Sequence, residues 1–319
     1  MSSAALNRIS RVARLALASL CCLTSCNGET IDPAAPSQAA PKAAILSWND
    51  LLSRPKPAPP LTVTVGTTPQ NVAELWLPDE EGPHPVVIMI HGGCWQKAIA
   101  DRTLMHYAAD ALARAGFAVW NIEYRGVDEE GGGYPGTFLD VALAADALVE
   151  VASERDLDLK RVVAYGHSAG GHLALWLAGR ENAPTTSPLR SDAPIDLAGV
   201  VNTGGLADLE ASAPVTLKSC LADILPSLVG APSSDRENVF ADTSPAELLP
   251  LGVAQVSING AQDRIAPPVL GEAYTEKARA AGDEAIFALV EGGHVELIAP
   301  GTPAFDETIA IIRGLAGER

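Results

Sequence analysis

Basic residues are scarce in this chain. Lys and Arg number 22 against 39 Asp and Glu, a formal net charge of −17 over 319 residues. Phosphate backbones are gripped by clustered Lys and Arg, so no nucleic-acid partner is expected. Aromatic residues are also few, at 5%, and a core must be built mainly from Ala, Val, Leu and Ile. Long hydrophobic runs are missing. The apolar stretch from Leu15 to Leu23 covers nine residues, whereas a membrane-spanning helix needs about 20. Cysteine is sparse beyond the N-terminus: Cys21, Cys22 and Cys26 fall in the first 26 residues, leaving Cys94 and Cys220. A disulfide between these two in an exported protein, and a pair of buried free thiols, are both compatible with the sequence.

What is present at the N-terminus has the order of an export signal. Arg8, Arg11 and Arg14 precede the short apolar run, and no acidic residue occurs before Glu29. The run has the length of a signal-peptide core. Leu23-Thr24-Ser25-Cys26 resembles the bacterial lipoprotein box. That resemblance implies that Cys26 becomes the lipidated first residue of an exported lipoprotein, anchored to a membrane and facing the periplasm or the cell exterior. An ordinary signal peptide, cut at a nearby small residue, is the plainer alternative. Residues 27–60 are rich in Pro, Ala and Ser and read as an extended tether. Within it, residues 43–52 could form a short helix.

From residue 61 onward the pattern is that of one globular domain, and an overall hydrophobic content of 47% suits a packed core. Residues 61–65 and 72–77 alternate with period two and predict an antiparallel edge hairpin. Residues 85–90 form a continuous apolar run, as expected of a strand buried on both faces. Further strands are predicted at 117–122, 162–165, 198–201, 254–258 and 286–290. Helices are predicted at 101–115, 137–155, 169–180 and 303–316, the second with Leu139, Leu143, Ala147 and Leu148 on one side. Strands alternating with helices predict an α/β fold, a mostly parallel twisted sheet with helices on both faces. Residues 205–250 are rich in Pro, Asp and Ser with poor periodicity, and are expected to form a cap or lid over an active site.

The strongest chemical signal is Gly166-His167-Ser168-Ala169-Gly170-Gly171. It fits the G-x-S-x-G nucleophile elbow, in which a serine sits between a strand and a helix. Serine alone is a poor nucleophile near neutral pH and needs a base. Of six histidines, only His294 follows both the elbow and the last predicted strand. The acid that would orient it is expected after an earlier strand, and Asp263 follows the run 256–260. Asp223, Asp242 and Glu296 compete less well. Asp223 and Asp242 lie in the irregular segment, and Glu296 is close in sequence to His294. Directly after the strand at 85–90 comes His91-Gly92-Gly93-Cys94-Trp95. It resembles the HGGG-type loop that donates backbone amides to an oxyanion, with Cys in place of the third Gly. That resemblance implies the amides of Gly93 and Cys94 as donors, joined by Ala169, with His91 bracing the loop.

These motifs occur in one chain order together with Asn121-Ile122-Glu123-Tyr124-Arg125, Gly131–Gly136 and Gly293-His294-Val295-Glu296. As a set they resemble the esterase and kynurenine-formamidase-like (arylformamidase-like) branch of the α/β-hydrolase superfamily over residues 61–319. The resemblance implies the α/β-hydrolase fold and hydrolysis of small carboxylic esters or amides. It implies a Ser-His-Asp acyl-enzyme mechanism with no metal or organic cofactor. A small-molecule esterase is the leading expectation and an arylformamidase the alternative within the enzyme class. A non-catalytic binding lipoprotein on the same fold is the alternative outside it, and the intact triad speaks against it.

Overall fold

Eight strands form one sheet in the order β1-β2-β4-β3-β5-β6-β7-β8. They are β1 (Leu61–Thr64), β2 (Val72–Trp76), β3 (His84–Ile90), β4 (Ala118–Ile122), β5 (Leu157–His167), β6 (Gly199–Thr203), β7 (Gln255–Gly260) and β8 (Ala285–Val290). The pairs β1–β2 and β2–β4 are antiparallel and all the others parallel. The computed structural model describes residues 44–218 and 220–317. Residues 1–26, with Cys26, and residues 27–43 lie outside the described residues.

The apolar run predicted as a doubly covered strand explains the layering. Along β3, Val86, Ile88 and Ile90 enter one hydrophobic cluster while Val87 and Met89 enter the other. Successive side chains leave opposite faces of a strand, so the two clusters are the two faces of the sheet. Helices α3 (Gly136–Asp146) and α5 (Ala169–Gly179) pack on the first face. Helices α2 (His106–Arg114) and α9 (Pro303–Leu315) cover the second. The shorter helices are α1 (Trp48–Leu52), α4 (Leu148–Ala152), α6 (Leu209–Ser212) and α7 (Leu225–Val229), and α8 (Pro268–Ala281) links β7 to β8.

The structure corrects the sequence reading in four places. The compact unit begins at Ile45, not at residue 61. Its first residues are bonded to the domain rather than forming a tether: Leu46 N–H donates to Glu296 Oε1 at 2.6 Å, and Arg54 Nη1 donates to Pro300 O at 2.8 Å. The long helix read over 137–155 breaks at Ala147, and its buried face is not the one expected. Leu139 and Leu143 are 40% and 42% exposed, while Phe138, Val141, Ala144 and Ala145 are buried. Phe138 wins the inward place because its ring packs edge-on against Trp176, centroids 5.0 Å apart. Asp140 turns inward with it because Arg125 pairs with its carboxylate at 2.6 Å. Helix α8 has no counterpart among the elements read from the sequence. Finally, no described residue of 205–250 lines the cavity that holds Ser168.

Candidate active site

β5 ends at His167 and α5 begins at Ala169, so Ser168 makes the whole turn by itself, at φ 55° and ψ −121°. Such a backbone conformation in a residue other than glycine costs about 1–3 kcal/mol and persists only where its surroundings dictate it. Here they do. Ser168 N–H donates to Thr203 O of β6 at 2.8 Å, and Ser168 O accepts from Gly171 N–H at 2.9 Å. The flanking glycines are obligatory, because a Cβ on Gly166 would overlap the Gly170 carbonyl oxygen and one on Gly170 would overlap that of Ile90. The serine hydroxyl is thereby held at the C-terminal edge of the parallel strands, where open α/β sheets form their ligand crevices.

The loops after β7 and β8 bring Asp263 and His294 together, 2.6 Å from Oδ2 to Nδ1. The other carboxylate oxygen of Asp263 accepts from Ile265 N–H at 2.8 Å and from Ala266 N–H at 2.9 Å. These two bonds fix the carboxylate plane. An acceptor at Nδ1 requires the proton there, which leaves Nε2 of His294 as a lone pair able to take a proton.

The loop after β3 holds three successive residues at positive φ: Gly93 at 112°, Cys94 at 53° and Trp95 at 54°. The amides of Gly93, Cys94 and Ala169 donate no hydrogen bond among the described residues. His91 braces the loop from beneath. Its Nδ1 bonds Gly92 O at 2.7 Å, its Nε2 bonds Glu123 Oε1 at 2.8 Å, and its ring stacks on Tyr124 with centroids 4.1 Å apart. Burial alone would raise the Glu123 carboxyl, but the charges and hydrogen bonds of His91 and Lys97 outweigh it and hold the group at about 2. A disulfide joins Cys94 to Cys220, so the loop is also fastened to the 205–250 segment. Trp95 Nε1 donates to His172 Nδ1 at 3.2 Å, and His172 Nε2 donates to Thr243 O at 2.8 Å. The loop after β3, the elbow helix and the 205–250 segment are thus one bonded assembly.

Ser168, His294, Gly93 and Cys94 line a single cavity of about 200 Å³. All three triad residues predicted from the sequence therefore converge, Asp263 behind His294. Ala169 lies next to the cavity through Ser168. Among the lining residues that the sequence did not single out for the site, two bring rings against His294. His167 donates from Nε2 to His294 O at 3.1 Å, its ring 4.4 Å from that of His294. Burial first, and then the nearby His294, lower the His167 pKa well below the ordinary histidine value, so it stands as a neutral spacer. The other is Trp48, whose ring meets those of His167 and His294 edge-on at 6.1 and 6.2 Å. Its sequence setting, in a Pro-rich stretch far from every motif, carried no signal. Among the described residues no cluster of three or more His, Cys, Asp or Glu is arranged to hold a metal ion. No described helix is long and apolar enough to cross a membrane.

A mostly parallel sheet with helices on both faces, and a serine elbow between β5 and α5, is the α/β-hydrolase fold. The BD-FAE family model matches residues 74–277, and the chain belongs to that family. Comparison with curated proteins gives no match. Among solved structures, a bifunctional GH43-CE protein of Bacteroides eggerthii is similar at 22% identity and a TM-score of 0.64. The match covers 80% of this chain and 34% of that one, so this chain spans about a third of its length. A truncated carbohydrate esterase from gut microbiota is similar at 19% identity and a TM-score of 0.66, over 80% and 94% of the two chains. An inhibited esterase B from Lactobacillus rhamnosis is similar at 21% identity and a TM-score of 0.69, over 82% and 90%. At these identities the likeness is one of fold.

Proposed function

We propose that this chain is an exported serine esterase that cleaves small carboxylic esters. The observation that carries the reading is Ser168 and His294 in one cavity, with Asp263 bonded to the far nitrogen of His294. His294 Nε2 takes the hydroxyl proton as Ser168 attacks the carbonyl carbon. The tetrahedral oxyanion is received by the amides of Gly93, Cys94 and Ala169, whose donors are not spent on other described residues. His294 returns the proton to the departing alcohol, and water then cleaves the acyl-enzyme with the same base. Asp263 holds the His294 tautomer and stabilises the imidazolium as it forms. Esterases among the similar folds, including the inhibited esterase B, support ester cleavage as the reaction.

Export as a lipoprotein anchored through Cys26 is part of the same proposal. The Cys94–Cys220 disulfide supports it, since such bonds persist in oxidising compartments. The decisive test of the chemistry is turnover of p-nitrophenyl acetate and butyrate by the purified protein and its Ser168→Ala variant. Removing the nucleophile should lower kcat by on the order of 10⁴-fold or more with circular dichroism unchanged. A variant that still turns over at the parent rate would refute the assignment.

A further inference from the structure

The part of the catalytic cavity not made by motif residues is apolar: Trp48, Leu52, Ile99, Ala100, Leu104 and Ile265. At about 200 Å³ it is smaller than the ~300–1,000 Å³ of ordinary ligand sites. It therefore suits a short aliphatic group beside the reacting carbonyl. Which residue closes it follows from where each side chain is rooted. Leu104 is a buried member of the core below the sheet. Leu52 and Ile99 are 48% and 56% exposed and so belong to its mouth. Trp48 is half-buried and is the lining side chain in ring contact with both His167 and His294. Its ring meets that of His294 edge-on, 6.2 Å between centroids.

The segment that carries Trp48 is fastened to the loop of the catalytic histidine. Glu296 accepts from Leu46 N–H through Oε1 at 2.6 Å and from Gly293 N–H through Oε2 at 2.9 Å. One carboxylate thus joins the N-terminal strap to the residue preceding His294. Ser47 and Asp50 form a capping box at the start of α1, which sets the direction in which Trp48 leaves the backbone. A methyl carbon of Ile45 sits close against Gly293, 2.7 Å from where a Cβ would stand. None of these residues lies within the stretch 74–277 matched by the family.

We propose that Trp48 is the specificity-determining residue of this esterase, closing the cavity so that only a short aliphatic group fits beside the scissile carbonyl. The proposal rests on Ser168 acting as the nucleophile of an ester hydrolase. Shortening the side chain opens the cavity by the volume of an indole. Each methylene then admitted adds about fourfold to kcat/KM at roughly 0.8 kcal/mol of burial.

The test compares the purified protein with Trp48→Ala and Trp48→Phe on two substrate series. One varies the acyl chain, as p-nitrophenyl acetate, butyrate and octanoate. The other varies the alcohol, as methyl, butyl and octyl acetate. In Trp48→Ala the ratio of kcat/KM for the eight-carbon to the shortest member should rise by about tenfold or more in one series, with Trp48→Phe between. The series that responds identifies the side of the ester that Trp48 faces. A ratio has no dependence on the amount of folded enzyme, so partial unfolding cannot produce the rise. An unchanged ratio in both series, from a variant that still hydrolyses acetate, overturns the proposal. A parent protein that hydrolyses none of these esters overturns instead the esterase reading on which it rests.

Discussion

His172 and His294 both follow glycine, yet hydrogen bonding gives them opposite tasks. His294 donates from Nδ1 to Asp263 and keeps Nε2 free to accept a proton. His172 donates from Nε2 to Thr243 O and accepts at Nδ1 from Trp95, so both nitrogens are occupied with the ring neutral. Complete burial lowers its pKa to about 4, against a smaller opposing effect of the bond to Thr243. The unfolded chain takes up a proton on this ring near the ordinary value of about 6.5, while the native protein does not until about pH 4. Stability is therefore lost as pH falls through that window and is not altered by this group above it. A shift of that size corresponds to about 3 kcal/mol at the acid end, and buried His167 acts in the same direction. Glutamine can keep both bonds without titrating. In urea unfolding between pH 7 and pH 4.5, His172→Gln should lose visibly less stability than the parent. Equal slopes would mean that the ring is not held neutral. Of these two histidines, chain order alone pointed to His294. The role of His172 depends on Trp95 and Thr243, which lie 77 and 71 residues away.

At the scale of elements, the structure depends on short segments bonded across long sequence distances. The disulfide spans 126 residues and ties the loop after β3 to the 205–250 segment. By loop-closure entropy such a link is worth roughly 2–5 kcal/mol. The double variant Cys94→Ala, Cys220→Ala should lower Tm by on the order of 10 °C. It should also reduce turnover, because Cys94 sits at a positive φ that the bridge helps to hold. A melting curve unchanged by the substitution would contradict a structural role for the bridge. The 205–250 segment, expected as a cap, contributes no described residue to the cavity lining. Its residues fasten the site from the side: Trp176 Nε1 of the elbow helix donates to Asp242 O at 2.9 Å, and Arg236 pairs with that same aspartate at 2.6 Å. Trp48 and Leu52 of α1 line that cavity instead. The buried face of α3 was misread. Either face offers apolar residues, and Phe138 and Asp140 were chosen by Trp176 and Arg125, partners on other elements.

For the molecule as a whole, charge and address belong together. An excess of 39 acidic over 22 basic residues favours solubility and disfavours binding to anionic surfaces through charge. The lipoprotein proposal therefore makes a sharp prediction. The full chain should partition with membranes, and the Cys26→Ser variant should be found in the soluble exported fraction. Lipid-sized mass on the parent protein, absent from the variant, would be the direct measurement. Equal partitioning of the two would leave Cys26 without the proposed role. The proposed anchor site and the strap are close in the chain, since Trp48 follows Cys26 by 22 positions.

The sequence by itself determined the strand-helix alternation, the serine elbow and the chain order of Ser168, Asp263 and His294. These are local patterns, set by apolar periodicity and by glycine positions that the backbone requires. The tertiary structure alone decided that Cys94 meets Cys220, that Glu296 joins the strap to the His294 loop, and that the Trp48 ring meets that of His294. Each is a contact between residues more than a hundred positions apart, chosen by which surfaces remain to be covered once the sheet has formed. No local propensity encodes that choice.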